Sequence, residues 1–101
     1  MCRMEQKIIQ TKQIKDENDR IWTMRYWLLV HTAEGGEVFG AAIDQCAAEK
    51  IVERDEVLGL SERKEDAMLF LDRLCNGDAM PVELVALADD YMLEQEWKYQ
   101  G

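Results

Sequence analysis

Apolar residues change their spacing along this chain near residue 60, and the change divides it into a strand-rich part and a helical part. In the first part β-branched and aromatic residues cluster between turn-forming residues, which predicts strands. Residues 7–14 make a modest first strand, and Asp16-Glu17-Asn18-Asp19 follows with short side chains that bond the local backbone and close a hairpin. Residues 21–31 are the strongest strand in the sequence. Ala33-Glu34-Gly35-Gly36-Glu37 then supplies glycines for a tight connection to a third strand over 38–43, antiparallel to the second. Residues 44–50 are compatible with a loop, a helical turn or the end of a strand. Ile51, Val52, Val57 and Leu58 mark a fourth strand at the sheet edge, within residues 51–58.

The second part reads as two helices. Ser61 stands as an N-cap, with Glu62, Glu65 and Asp66 placing negative charge against the positive end of a helix over 62–76. Ala67, Phe70, Leu71 and Leu74 fall at three- and four-residue steps, and Asn76-Gly77 ends the run with a glycine able to turn left-handed. Pro81 opens a second helix over 81–96, whose stripe is Leu84, Val85, Leu87, Ala88, Tyr91 and Met92. The expected architecture is therefore a single α+β domain over residues 1–101. It has an antiparallel three- to four-stranded meander sheet followed by two C-terminal helices packed on one face.

The second strand poses a problem for that architecture. Its alternate set Trp22, Met24, Tyr26, Leu28 and Val30 is apolar throughout, as suits the helix-covered face. The opposite set, Ile21, Thr23, Arg25, Trp27, Leu29 and His31, is half apolar where water-facing positions would be polar. Placed beside Phe39 and Ile43 of the third strand, Ile21, Trp27 and Leu29 form a candidate interface in need of a cover. Three covers are open: residues 44–50 or the aromatic tail at Trp97 and Tyr99 folding over it, a second copy in a homodimer, or a small apolar ligand. A pocket for such a ligand between sheet and helices would be lined by Trp22, Tyr26 and Phe70.

Charge narrows the partners. The 101 residues carry 12 basic and 21 acidic side chains, a net charge of −9, which repels phosphate backbones and anionic lipid surfaces. Nucleic acid and membrane are not expected as partners. Residues 1–31 hold six basic groups against four acids, and residues 49–101 six against fourteen, so the helical half is the acidic one. It could present itself to a basic protein partner or serve as solvated helix faces.

Cys2, Cys46 and Cys75 are odd in number and show no paired spacing, which points to a reducing cytoplasm rather than a disulfide framework or a zinc site. The N-terminal residues lack the apolar core of an export signal, and the run Tyr26 to Val30 is too short to cross a bilayer. His31 is the sole histidine and has no evident nucleophile or carboxylate to work with. Asp90 and Glu94 share a helix face, but two carboxylates are too few for a calcium or magnesium cage. No catalytic residue, metal ligand or cofactor is expected.

The order of elements resembles a known family. Asp16-Glu17-Asn18 before the aromatic strand, Gly40 in the third strand, and Val57-Leu58-Gly59-Leu60-Ser61 running into a helix are part of it. Met80-Pro81-Val82-Glu83-Leu84 leading to Asp89-Asp90-Tyr91-Met92 completes it. The chain is similar over nearly its whole length to an uncharacterised family of roughly 100-residue bacterial proteins, mostly from Firmicutes, defined as a domain of unknown function. That resemblance implies no activity, cofactor or catalytic residue. Met80 stands where a Ser or Thr cap is expected before such a helix, leaving Asp78 as the nearby acceptor. The leading expectation is a non-enzymatic cytoplasmic interaction or regulatory module that self-associates through its sheet. A small-molecule binding protein is the alternative.

Overall fold

The computed structural model describes residues 3–48 and 50–100, with side chains described for 4–32, 34–48 and 50–94. Four strands, β1 (Arg3–Lys15), β2 (Ile21–Ala33), β3 (Gly36–Ala47) and β4 (Lys50–Ser61), form an antiparallel meander in the order β1-β2-β3-β4. Two helices follow, α1 (Lys64–Asn76) and α2 (Leu84–Gln100), the second preceded by a 3-10 turn at Pro81–Glu83. The molecule measures 45 × 35 × 17 Å, the short dimension being one sheet plus one layer of helix. The fold is the α+β meander with two C-terminal helices that the apolar spacing predicts.

The core lies between the sheet and the helices. Met24, Tyr26, Leu28 and Val30 of β2 and Phe39, Ala41 and Ile43 of β3 meet Ala67, Phe70, Leu71, Leu74, Leu84, Ala88 and Tyr91. Tyr26 is completely buried, its hydroxyl donates to the Ala79 carbonyl at 3.0 Å, and desolvation pushes its phenol up to about 12. On β1 the face in use changes partway. A bulge at Ile9 lets Ile8 oppose Trp27 while Gln10 opposes Tyr26, so Lys12 and Ile14 come to the helix side. Lys12 then donates to the Cys75 carbonyl at 2.6 Å and pairs with Asp78, tying the sheet edge to the end of α1.

Several boundaries differ from the sequence expectations, each for a local reason. Residues 44–47 continue β3 instead of forming a separate cover, because Asp44 and Gln45 find cross-strand partners in Arg25 and Met24. Ser61 is the last residue of β4, and α1 begins at Lys64. The Ser61 hydroxyl instead accepts from the Arg63 amide at 3.0 Å and lies 3.3 Å from the Asp66 carboxylate, turning the chain one step before the helix. At the end of α1 the left-handed residue is Asp78 (φ 51), not Gly77 (φ −93). The Ala79 amide donates to Leu74 and the Asp78 amide to Cys75, a Schellman closure shifted by one residue. With no hydroxyl at Met80, only the reverse half of a capping box forms, the Glu83 carboxylate accepting from the Met80 amide at 3.0 Å.

Between β3 and β4 the chain turns through Ala48, whose φ of 49 is left-handed. A β-carbon there strains the backbone and glycine relieves it. Ala48→Gly is therefore expected to raise stability by about 0.5–1 kcal/mol in urea unfolding; a loss of stability would contradict the turn as described.

Candidate functional site

The sheet face turned away from the helices is the place where chemistry gathers. Register fixes its membership: Leu29 opposes Gly40, Trp27 opposes Ala42 and Arg25 opposes Asp44 across β2 and β3. Ile8 opposes Trp27 from β1, and Arg54 opposes Asp44 from β4. At the centre Asp44 is 0 % exposed and accepts three donors, Arg25 Nη2 at 2.9 Å, Arg54 Nη1 at 2.8 Å and Trp27 Nε1 at 2.8 Å. Both guanidiniums lie over the Trp27 ring, at 5.5 and 6.0 Å from its centroid. Arg54 also donates to the Gln6 side chain of β1 at 2.8 Å, so the two side chains together bridge β3 and β2.

This arrangement covers the centre of the second apolar set and leaves its rim exposed. Gly40 and Ala42 present no bulk, so the long side chains of Trp27, Arg25 and Arg54 lie flat across the middle of the sheet. Leu29 is 3 % exposed on the same face. Arg25 Nε is buried without an acceptor, an exception to the rule that buried polar atoms find partners. The Asp44 carboxylate is fully engaged by two guanidiniums and an indole. What it does is fix three large side chains in one geometry.

Of the sequence candidates, the structure brings Ile21, Trp27 and Leu29 to this open face, but not Phe39 and Ile43. Phe39 opposes Val30 and Ile43 opposes Tyr26, which places both in the helix-covered core. The open face has other apolar members that the sequence reading missed, Met4, Ile8 and Ile51, each about half exposed like Ile21. The aromatic tail at Trp97 and Tyr99 lies outside the described side chains.

The residues named for a pocket are separated. Tyr26 and Phe70 fill the core, Phe70 meeting the Tyr91 ring at 5.2 Å, while Trp22 donates from its indole to Asp16 at 2.9 Å in the first turn. Asp16 also accepts from the Asn18 and Arg20 amides, and the Trp22 hydrogen bond above all holds its carboxyl below the usual range. A cleft of about 200 Å³ opens between the helices, bordered by Phe70 but by neither Trp22 nor Tyr26. His31 is half-buried toward one end of β2, opposite Met4 and Val38. Cys46 and Cys75 are buried, and desolvation raises the Cys75 thiol. Among the described residues no group of three or more His, Cys, Asp or Glu side chains is placed to hold a metal, and no helix is long and apolar enough to cross a membrane.

A four-stranded meander with both helices on one face and an arginine-tryptophan-carboxylate cluster on the other defines a small two-layer α+β domain with one layer left open. The chain belongs to a family of unknown function, DUF6514, whose profile matches residues 5–94, from within β1 through the helices as far as Glu94. No curated protein and no solved structure matches it.

Proposed function

We propose that this chain is a non-enzymatic interaction module that self-associates through the open sheet face. One observation carries the reading: a helix-free sheet face holds a prearranged tryptophan and two arginines, with exposed Met4, Ile8, Ile21 and Ile51 around them. Tryptophan and arginine are the residue types that dominate binding energy at protein interfaces, and holding them rigid lowers the entropy lost on association. The area is adequate as well. Four strands of this length span roughly 40 × 19 Å, on the order of 750 Å², close to what each side of a stable interface buries. The cytoplasm as its compartment belongs to the same proposal and rests on the unpaired cysteines.

Ile8→Glu tests the surface, because Ile8 is about half exposed beside Trp27 and takes no part in the Asp44 cluster. Light scattering is expected to show the natural chain above 11.8 kDa at high micromolar concentration and the variant at the monomer mass. Equal masses for the two would remove the open face as the contact.

A further inference from the structure

The open sheet face differs from the rest of the molecule in how it carries charge. Charged residues make up 33% of the chain, yet strand register puts only five of them on this face among the described residues, Lys15, Arg25, Asp44, Arg54 and Glu56. Each has an opposite charge beside it. Asp44 takes Arg25 and Arg54, Glu56 lies 3.4 Å from Arg54, and Lys15, at the corner where β1 ends, lies 3.5 Å from Asp19. The other polar positions, Gln6, Thr11, Gln13, Thr23 and His31, are amides, hydroxyls and one imidazole. Exposed Met4, Ile8, Ile21 and Ile51 make up the apolar rim. The helical layer has the opposite character, residues 62–94 holding nine acidic side chains against three basic ones.

From this balance we infer that the occupant of the open face is the same face of a second copy, in a closed two-fold dimer layered helix, sheet, sheet, helix. The inference rests on the self-association proposed above and specifies its geometry. A second copy can offer either its sheet or its helical layer. Arg25 and Arg54 are already taken by Asp44 and Glu56 on their own face. Carboxylates of the helical layer, such as Asp89 exposed between Val85 and Met92 on α2, would therefore lose water there and gain no counter-charge. The sheet face meets its own copy without that cost, because its charges are satisfied within each copy and what remains is apolar or neutral. Depletion of unpaired charge is the compositional mark of an interface core. A contact in which both copies use the same surface leaves none free for a third, so growth stops at two.

Solution mass against concentration tests this with two kinds of variant. Ile8→Glu and Ile21→Glu put charge on the sheet face, while Val85→Lys and Leu69→Lys change the helical layer, all at exposed positions. The natural chain is expected to rise to twice 11.8 kDa and to stay there as concentration increases further. Both sheet variants are expected to be monomeric and both helical variants to dimerise as the natural chain does. Added salt is expected to leave the dimer intact, since no ion pair crosses the contact. Thermal unfolding checks that each variant is folded, and two positions in each layer keep the comparison decisive should one of them not fold. Masses that climb past two copies, a folded helical variant that is monomeric, or association lost as salt increases would each overturn the closed face-to-face geometry while association through the sheet stands. Folded sheet variants that dimerise like the natural chain, or a natural chain that is monomeric throughout, overturn the self-association through this face as well.

Discussion

Asp44→Ala is expected to destabilise the fold by about 3–5 kcal/mol, the cost typical of removing one member of a buried ion pair. The carboxylate is fully buried and is the shared acceptor for Arg25, Arg54 and the Trp27 indole. Its loss leaves two guanidiniums close together over a sheet with no counter-charge between them. Arg54→Met should cost less, because Asp44 then keeps Arg25 and Trp27. Urea unfolding of both variants checks this order. A change within about 0.5 kcal/mol for Asp44→Ala would place it among ordinary surface substitutions and would mean that the cluster does not organise the face.

Gly40→Ala should have a comparable effect for a different reason. A β-carbon at Gly40 would stand 2.1 Å from the Val57 carbonyl oxygen, a backbone atom that no rotamer change can move. The close approach follows from an irregularity in β4: Phe39 opposes Ser61 and Ala41 opposes Val57, so β4 spends two more residues than β3 there. Gly59 takes φ 68 within that stretch. Overpacking of this kind costs about 1–3 kcal/mol, and the backbone contact puts Gly40→Ala at the upper end. Gly35→Ala is the matched control, since a β-carbon there meets nothing within 4 Å and should change stability by less than about 0.5 kcal/mol. Equal effects for the two would contradict the register between β3 and β4.

These two residues show what the sequence disclosed and what it withheld. The α+β order was legible because the spacing of apolar residues changes from strand-like to helical near Ser61 and because Asp16–Asp19 and Glu34–Gly36 are strong turn formers. The need for a cover over Trp27 and Leu29 was legible too, from a strand apolar on both sides. Asp44 was missed, although a signal existed. Counting outward from the turn, Ala33 opposes Gly36, which puts Asp44 opposite Arg25 and Phe39 and Ile43 on the helix side.

No such count could have found Arg54. Its place depends on the irregularity between Gln45 and Cys46, which shifts the β3–β4 register by one residue just past the turn, and bulges leave no simple trace in apolar spacing. The bulge at Ile9 is the same kind of event, moving Lys12 and Ile14 to the face where Lys12 reaches Cys75. The start of α1 was off by two residues, and the left-handed residue after its end is Asp78 instead of Gly77 although the helix ends at Asn76 as expected, because hydrogen bonding with the adjoining strand and loop overrode the local capping preference.

If the open sheet face is the surface through which copies meet, Trp27 must report the meeting directly. In a chain carrying Trp22→Phe and Trp97→Phe, emission from Trp27 is expected to move to longer wavelength on dilution from high to low micromolar concentration, as the half-buried ring returns to water. An emission maximum that stays constant while the mass changes would place the contact elsewhere, and one that stays constant with a constant monomer mass would contradict self-association itself.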